Sequence, residues 1–405
     1  MAKREAGAVL PVLRARGSHE ELGRLMGEFR AVQIRSTVAA TKAALWDADV
    51  DRALLAAQNG PFVEAAERIY PQYLRELRAM ADGADVPFDV LFRLNCYESR
   101  PPGTPPGSIA GPITPLAAET AQPQPGSKDS GELTTANTTA AQAPHPQNGA
   151  AHADEATAAV TESTAGRAPD GCTSVVSRRE GTVVVGHTED SSPDAVEGIY
   201  LLDAEVVEDD EVKSRFLALN YAQTLPGCAA AMNQHGLMVL IDALPDPERY
   251  VGAPRHLVSR ALLDARSIDE AIAILRETER GGGWNYLMVQ GDRYANVETT
   301  ATRVAVTETG AGVYAHSNHY LDGELADAAG EPRANSLARL ARARAIGQPG
   351  LSVEAMKQLL SDREGYPDSI CRDRTIAAWV ADAAARSVEV CWGEPEGATW
   401  TRYEL

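Results

Sequence analysis

Two spacings of hydrophobic residues divide this chain, and between them lies a stretch with neither. Leu22, Leu25, Met26 and Phe29 recur at helical spacing behind Gly17-Ser18-His19-Glu20-Glu21, where Ser18 offers an N-cap and the glutamates sit in the first turn. From Val63 to Ala84 a second amphipathic stretch puts Ala66, Ile69, Tyr73, Leu77 and Met80 on one face, with Gly83 as the expected C-cap. Residues 1–100 are therefore expected to be helical.

After Asp170 the spacing changes to that of strands. Thr173–Ser177 and Thr182–Gly186 are short β-branched runs around the turn-like Arg178-Arg179-Glu180-Gly181. Further strands are expected at 199–202, 215–219, 229–232, 237–241, 286–289, 295–298, 304–307, 386–391 and 400–403. Helices are expected at 256–265, after the Ser267-Ile268-Asp269-Glu270 capping box, at 334–346 and at 353–360. Hairpins interrupted by paired helices predict a layered α+β sandwich.

Composition accounts for the gap. Eleven of the 24 prolines fall within 101–169, which has no Phe, Tyr or Trp. Such a segment buries too little apolar surface to offset its ordering entropy. The expected organisation is a helical segment over 1–100, a linker over 101–171 and a catalytic segment over 172–405. The net charge of −19 argues against a nucleic-acid partner, which needs clustered cations. No apolar run has the length of a membrane span, and no secretory pattern opens the sequence, so a cytoplasmic protein is expected. The five cysteines form no CxxC pair, which argues against zinc. His316 and His319, three apart, have no evident third ligand.

Candidate chemistry begins at Asp170-Gly171-Cys172-Thr173-Ser174, where the linker ends and a strand starts. A cut between Gly171 and Cys172 would make Cys172 an N-terminal residue whose α-amine serves as its own base. The amine has a pKa of about 7.7–8.0 and the thiol about 8.5, so proton transfer between them is nearly balanced. Gly171, lacking a Cβ, tolerates close approach of the thiol to its carbonyl. A buried cysteine after a turn is the bland alternative. Eighteen residues on, Gly186-His187-Thr188-Glu189-Asp190 lies where a returning strand brings Asp190 near Cys172. The neighbouring Glu189 side chain is then expected to point the other way. Asn233 tips a hairpin, and Asn318, after a short strand, could donate an amide N–H into an oxyanion hole.

With these motifs in order, the chain resembles the family of isopenicillin N acyltransferase (peptidase C45-like, Ntn-hydrolase superfamily), and more distantly the bile salt hydrolases. The resemblance rests on Gly17–Gly27, Arg78–Ala84, Leu94-Asn95, Asp170–Ser174, Gly186–Asp190, Asn233–Leu237, Ala315–His319 and Tyr366–Arg372. It implies a four-layer αββα sandwich with a helical N-terminal segment. It implies Cys172 as nucleophile for self-cleavage and then for substrate, Asp190 as its acidic partner, Asn318 as the oxyanion amide and Arg339 as a site arginine. Ser369 and Arg372 match a Ser-Ile-Cys-Arg motif near the acyltransferase site. The chain departs from the family at Thr188, at Ser191, and at Asp242, which stands where relatives carry an Asn whose backbone N–H helps form the oxyanion hole.

The expected protein is a self-processing α/β heterodimer that hydrolyses a small N-acyl amine, peptide or lactam conjugate through an S-acyl-enzyme. The first alternative is an acyltransferase with a CoA thioester or an amide as donor. The second is a non-catalytic binding relative. No metal or redox cofactor is expected.

Overall fold

The computed structural model describes residues 9–47, 52–96, 171–245, 248, 250–308, 310 and 312–405. The expected linker thus lies outside the described residues except for its last position, Gly171.

The N-terminal segment is not helical throughout. It opens with strand β1 (Val12–Gly17), followed by helices α1 (His19–Phe29), α2 (Ala31–Asp47), α3 (Arg52–Ile69), α4 (Pro71–Ala84) and α5 (Phe88–Asn95). Ser18 caps α1 as expected, and Glu21 reaches back to complete a capping box; such a cap is worth about 1 kcal/mol. The expected single helix over 63–84 is two, because Pro71 opens α4 and supplies no N–H to continue α3. Gly83 is inside α4 rather than at its end. A Cβ there would lie 2.3 Å from the Arg24 carbonyl, and one at Gly23 would lie 2.0 Å from that of Glu76, so α1 and α4 touch backbone to backbone. Asp85, at φ 55°, makes the left-handed cap instead.

The C-terminal part supplies β2 (Thr173–Arg179), β3 (Thr182–Asp190), β4 (Ile199–Glu208), β5 (Glu211–Tyr221), β6 (Ala230–Asn233), β7 (Met238–Asp242), α6 (Arg255–Leu262), α7 (Ile268–Glu277), β8 (Asn285–Gln290), β9 (Arg293–Thr299), β10 (Val304–Thr307) and β11 (Val313–His316). It finishes with α8 (Gly323–Ala329), α9 (Ala334–Ile346), α10 (Val353–Leu360), β12 (Thr375–Asp382), β13 (Ser387–Trp392) and β14 (Trp400–Glu404). One sheet runs β1-β4-β5-β6-β7-β8-β9-β10, the other β11-β2-β3-β12-β13-β14. Only β1 and β4 pair in parallel among these strands.

Three apolar interfaces stack these parts into α-β-β-α layers. Leu201, Leu217, Leu240 and Val289 of the first sheet meet Val183, Val185, Trp379 and Val390 of the second. The outer face of the first sheet packs on two helix groups: Tyr200, Leu202 and Phe216 meet α1, α4 and α5, while Val239, Tyr286 and Val297 meet α6 and α7. The outer face of the second sheet, through Val175, Val184 and Ala378, packs on Leu340 of α9 and Met356 and Leu360 of α10. This is the expected four-layer αββα sandwich. The N-terminal segment is also tied to the C-terminal part by a buried ion pair, with Arg260 Nε donating to both oxygens of Glu76 at 3.2 Å.

One turn sets the register of the site. Glu180 and Gly181 have φ 48° and 80°, the pairing of a two-residue turn that matches strand twist. Thr173 then faces Thr188 and Ser174 faces His187 across β2 and β3. One step further along the same register, Cys172 lies opposite Glu189.

Candidate active site

Between the two sheets, part of the facing inner surface is polar rather than apolar. Ser174 from β2, His187 and Glu189 from β3, Tyr221 from β5, Asp242 from β7, Asn285 from β8, Glu298 from β9 and His316 from β11 are buried there or joined by hydrogen bonds. The chain of contacts runs from sheet to sheet. Tyr221 donates to Glu189 Oε1 at 2.5 Å, Glu189 Oε2 bonds His187 Nε2 at 2.9 Å, and His187 Nδ1 bonds the Ser174 hydroxyl at 2.9 Å. Ser174 donates to Asp242 at 3.1 Å. Asp242 also accepts from Asn285 at 3.0 Å and lies 3.4 Å from His316 Nδ1, whose other nitrogen is 2.8 Å from Glu298.

Cys172 enters this network at the start of β2, buried. Its sulfur, a His187 ring nitrogen and a Glu189 carboxylate oxygen lie within 4.8 Å of one another. These three types of donor could ligate a soft divalent ion, although both His187 nitrogens are already hydrogen-bonded. Burial pushes the thiol pKa well up, and the charges of Glu189, Asp242 and Asp190 push it further; a hydrogen bond from the Asp190 backbone opposes them. An uncut chain therefore keeps this thiol protonated at neutral pH.

Burial works against a charged His316, but the Asp242 carboxylate 3.4 Å from Nδ1 and the hydrogen-bonded Glu298 outweigh it and raise the imidazole to about 9. Burial likewise opposes the charge on Asp242, yet His316, His187 and Ser174 hold its carboxyl below the usual range.

On the backbone side of Cys172 the expected residues converge. Arg372 Nη2 donates to the Gly171 carbonyl at 3.0 Å, and its Nε donates to Asp190 at 2.7 Å. Thr375 holds the other Asp190 oxygen at 2.7 Å. Arg339 donates to the Cys172 carbonyl and to Thr173 Oγ1, and through Nη2 to Asn318 Oδ1 at 2.6 Å. That last bond fixes the amide so that Nδ2 faces Gly171 and the Ala243 carbonyl, to which it donates at 2.9 Å. A Cβ on Gly171 would fall 1.9 Å from Asn318 Nδ2, so this position admits no side chain.

Cys172, Gly171, Asp190, Asn318, Arg339 and Arg372 are thus brought together, with Asp242 linked through Ser174. Ser369 is not among them, because its hydroxyl is bonded to the Cys371 carbonyl. Asn233 is a turn residue: its side chain donates to Leu263 and Ala265 carbonyls and accepts from His235 and Leu237. The expectation for the adjacent pair on β3 is corrected. Glu189, expected to point away, shares the face of Cys172, while the Asp190 side chain turns to Arg372 and Thr375. Sequence reasoning also missed His187, Tyr221 and Glu298. The register of the β2–β3 turn would have placed the first and Glu189; nothing local marks Tyr221 or Glu298.

Among the described residues no helix is long and apolar enough to cross a membrane. The Beta-alanyl-dopamine/carcinine hydrolase of Drosophila melanogaster is 23% identical over 422 residues, covering 95% of this chain and 93% of its own. Two solved structures are similar in part. The N-acylethanolamine-hydrolyzing acid amidase ortholog of Caenorhabditis elegans matches at TM-score 0.39 and 14% identity, over 52% of this chain and 93% of its own. The C2A mutant of the conjugated bile acid hydrolase of Clostridium perfringens matches at TM-score 0.33 and 11% identity, over 58% and 97%. Residues 177–397 match the family described as acyl-coenzyme A:6-aminopenicillanic acid acyl-transferase, a span that opens just after Cys172 and includes Asp190, Asn318, Arg339 and Arg372. The chain belongs to that family, and is an enzyme of the amide-hydrolase and acyltransferase class.

Proposed function

We propose that this protein cuts its own chain between Gly171 and Cys172 and then hydrolyses small N-acyl amines through an S-acyl Cys172. One observation carries the reading: a cysteine thiol stands at a strand start beside a peptide carbonyl, that of Gly171, which already accepts a hydrogen bond from a buried arginine. In the uncut chain Cys172 Sγ attacks the Gly171 carbonyl carbon. Arg372 receives the negative charge that forms on the oxygen. The C–N bond breaks, the amine of Cys172 takes up the proton lost by the thiol, and water hydrolyses the thioester to free the Gly171 carboxylate.

In the cut enzyme that amine removes the thiol proton, supplying beside the sulfur the cation that three nearby carboxylates otherwise deny it. The thiolate attacks the substrate acyl carbon. Asn318 Nδ2 has a second hydrogen beyond the one given to Ala243, and with the backbone N–H of Asp242 it stabilises the oxyanion. One such donor is worth roughly 3–4 kcal/mol. The tetrahedral adduct expels the amine, protonated by the Cys172 ammonium, and water releases the acid. Arg339 positions Asn318 and the Cys172 carbonyl.

Hydrolysis is favoured by the Drosophila relative, a hydrolase similar along nearly all of this chain. The family description favours a second reading, acyl transfer from an acyl-CoA thioester or an amide. Incubation with an acyl-CoA and an amine acceptor separates them, since free acid marks a hydrolase and a new amide a transferase. The proposal itself is tested by intact mass of the purified protein and by hydrolysis of N-acyl anilides. A stable, active 43.2 kDa chain would overturn self-cleavage.

A further inference from the structure

We infer that Glu189 reads the acyl half of the substrate, and that this acyl group carries a cationic amine one or two carbons from its carbonyl. The inference rests on Cys172 being the residue acylated. A Glu189 carboxylate oxygen lies within 4.8 Å of Cys172 Sγ, so an acyl group on the sulfur forms within reach of it. The other carboxylates near the thiol are matched. Asp190 is held by Arg372 and Thr375, and Asp242 by Ser174, Asn285 and His316. Among the described residues Glu189 has no arginine or lysine partner, only His187 and Tyr221. A carboxylate offers about four acceptor positions. Those two neighbours occupy one each, one on either oxygen, and leave room for a further donor at a group only 4% exposed.

The geometry sets the length of the ligand. In an acyl-enzyme the amino nitrogen lies roughly 3–4 Å from the sulfur when α and roughly 4–5 Å when β. Extended toward Glu189, such a nitrogen comes within hydrogen-bond distance of a carboxylate oxygen no more than 4.8 Å from the same sulfur. An amine on a longer chain passes beyond it. An acyl group ending in a carboxylate brings like charge against a buried carboxylate, and a plain alkyl acyl group leaves the open acceptor positions unfilled. Tyr221 reaches Glu189 from the opposite sheet and fixes the direction of its carboxylate.

The test is steady-state hydrolysis of three p-nitroanilides of similar size: β-alanyl, butyryl and succinyl. The wild type is expected to show kcat/KM for β-alanyl on the order of tenfold or more above butyryl, as a charge-assisted hydrogen bond supplies, with succinyl lowest. In Glu189→Gln the ratio of β-alanyl to butyryl falls toward one, whatever the absolute rates. In Tyr221→Phe, which keeps the carboxylate, the preference survives. Equal use of β-alanyl and butyryl by the wild type overturns the inference, as does an unchanged ratio in Glu189→Gln. If Glu189→Gln hydrolyses neither, inhibition of the wild type decides: β-alanine must inhibit more strongly than butyrate, and equal inhibition overturns the assignment. Failure of the parent reading looks different, because Cys172→Ala then hydrolyses the anilides as the wild type does, and the inference falls with it.

Discussion

Gly171 and Asn318 share one space, since a methyl group on the glycine would fall 1.9 Å from the amide nitrogen of the asparagine. The residue before the proposed cut and the proposed oxyanion donor are therefore fitted to each other. Gly171→Ala is expected to push residue 171 away from Asn318, shift its carbonyl relative to Cys172 and Arg372, and slow cleavage at least about tenfold. The check is the fraction of uncut 43.2 kDa chain by intact mass, compared over time with the wild type. Cleavage at the wild-type rate would show that the close contact has no part in processing.

Cys172→Ala should remain uncut and inactive. Cys172→Ser should cut slowly and turn over little, because a hydroxyl gives up its proton far less readily than a thiol. Cys228, Cys371 and Cys391 are each pushed up to about 12, by burial first, and should resist alkylation at neutral pH. Cys172 should resist too in the uncut chain and become reactive after cleavage. Peptide mapping of alkylated protein before and after maturation measures this. Cleavage of Cys172→Ala would point to an outside protease.

Arg372 and Asp190 should behave as one unit. Removing either partner of a buried ion pair leaves an uncompensated charge, at a cost of about 3–5 kcal/mol. Arg372→Met and Asp190→Asn are each expected to lower the melting temperature and slow cleavage. The double variant should be far less damaging than the two losses added. Additive effects on melting temperature would mean that the 2.7 Å contact does not couple them.

Stability should fall at both ends of the pH range. His316 is held at about 9, above its ordinary value of about 6.5, so its stabilising contribution is full below pH 6.5 and lost as pH rises through 9. Asp242 and Glu298 are held below the usual carboxylate range, so theirs is present above that range and lost as pH falls through their folded values. His316→Gln should remove most of the alkaline loss. Melting temperatures from pH 4 to 10 for wild type and variant provide the check, and an unchanged alkaline limb would refute the role of His316.

Much of this architecture could be read from local pattern. The Ser18 cap, the β2–β3 hairpin and the helices α9 and α10 follow from spacing and caps alone. β12 escaped because Ala377, Ala378 and Ala381 carry no β-strand signature, and only its position between two strands makes it one. β1 escaped because Leu13 and Ala15 alternating with Arg14 and Arg16 make too short a run beside five helices. At the site, the residues on one strand turn were legible, while Tyr221 and Glu298 come from distant strands of the opposing sheet. The error over Glu189 and Asp190 has a simple cause. Alternation says that neighbours face opposite ways, but only the register says which of them faces Cys172.

β1 belongs to the stretch of chain before Gly171, and it lies hydrogen-bonded along β4, which comes after it. A cut at Gly171 would consequently alter the protein's folding without altering its fold. The uncut chain brings strand and partner together as parts of one molecule, independently of dilution. The cut protein, once unfolded, would have to recover the same pairing from two separate polypeptides, at a rate that falls with concentration. Maturation would then act as a ratchet: native lifetime would be governed by how slowly β1 and its helices leave the sheet, and loss of the N-terminal fragment in dilute solution would be permanent.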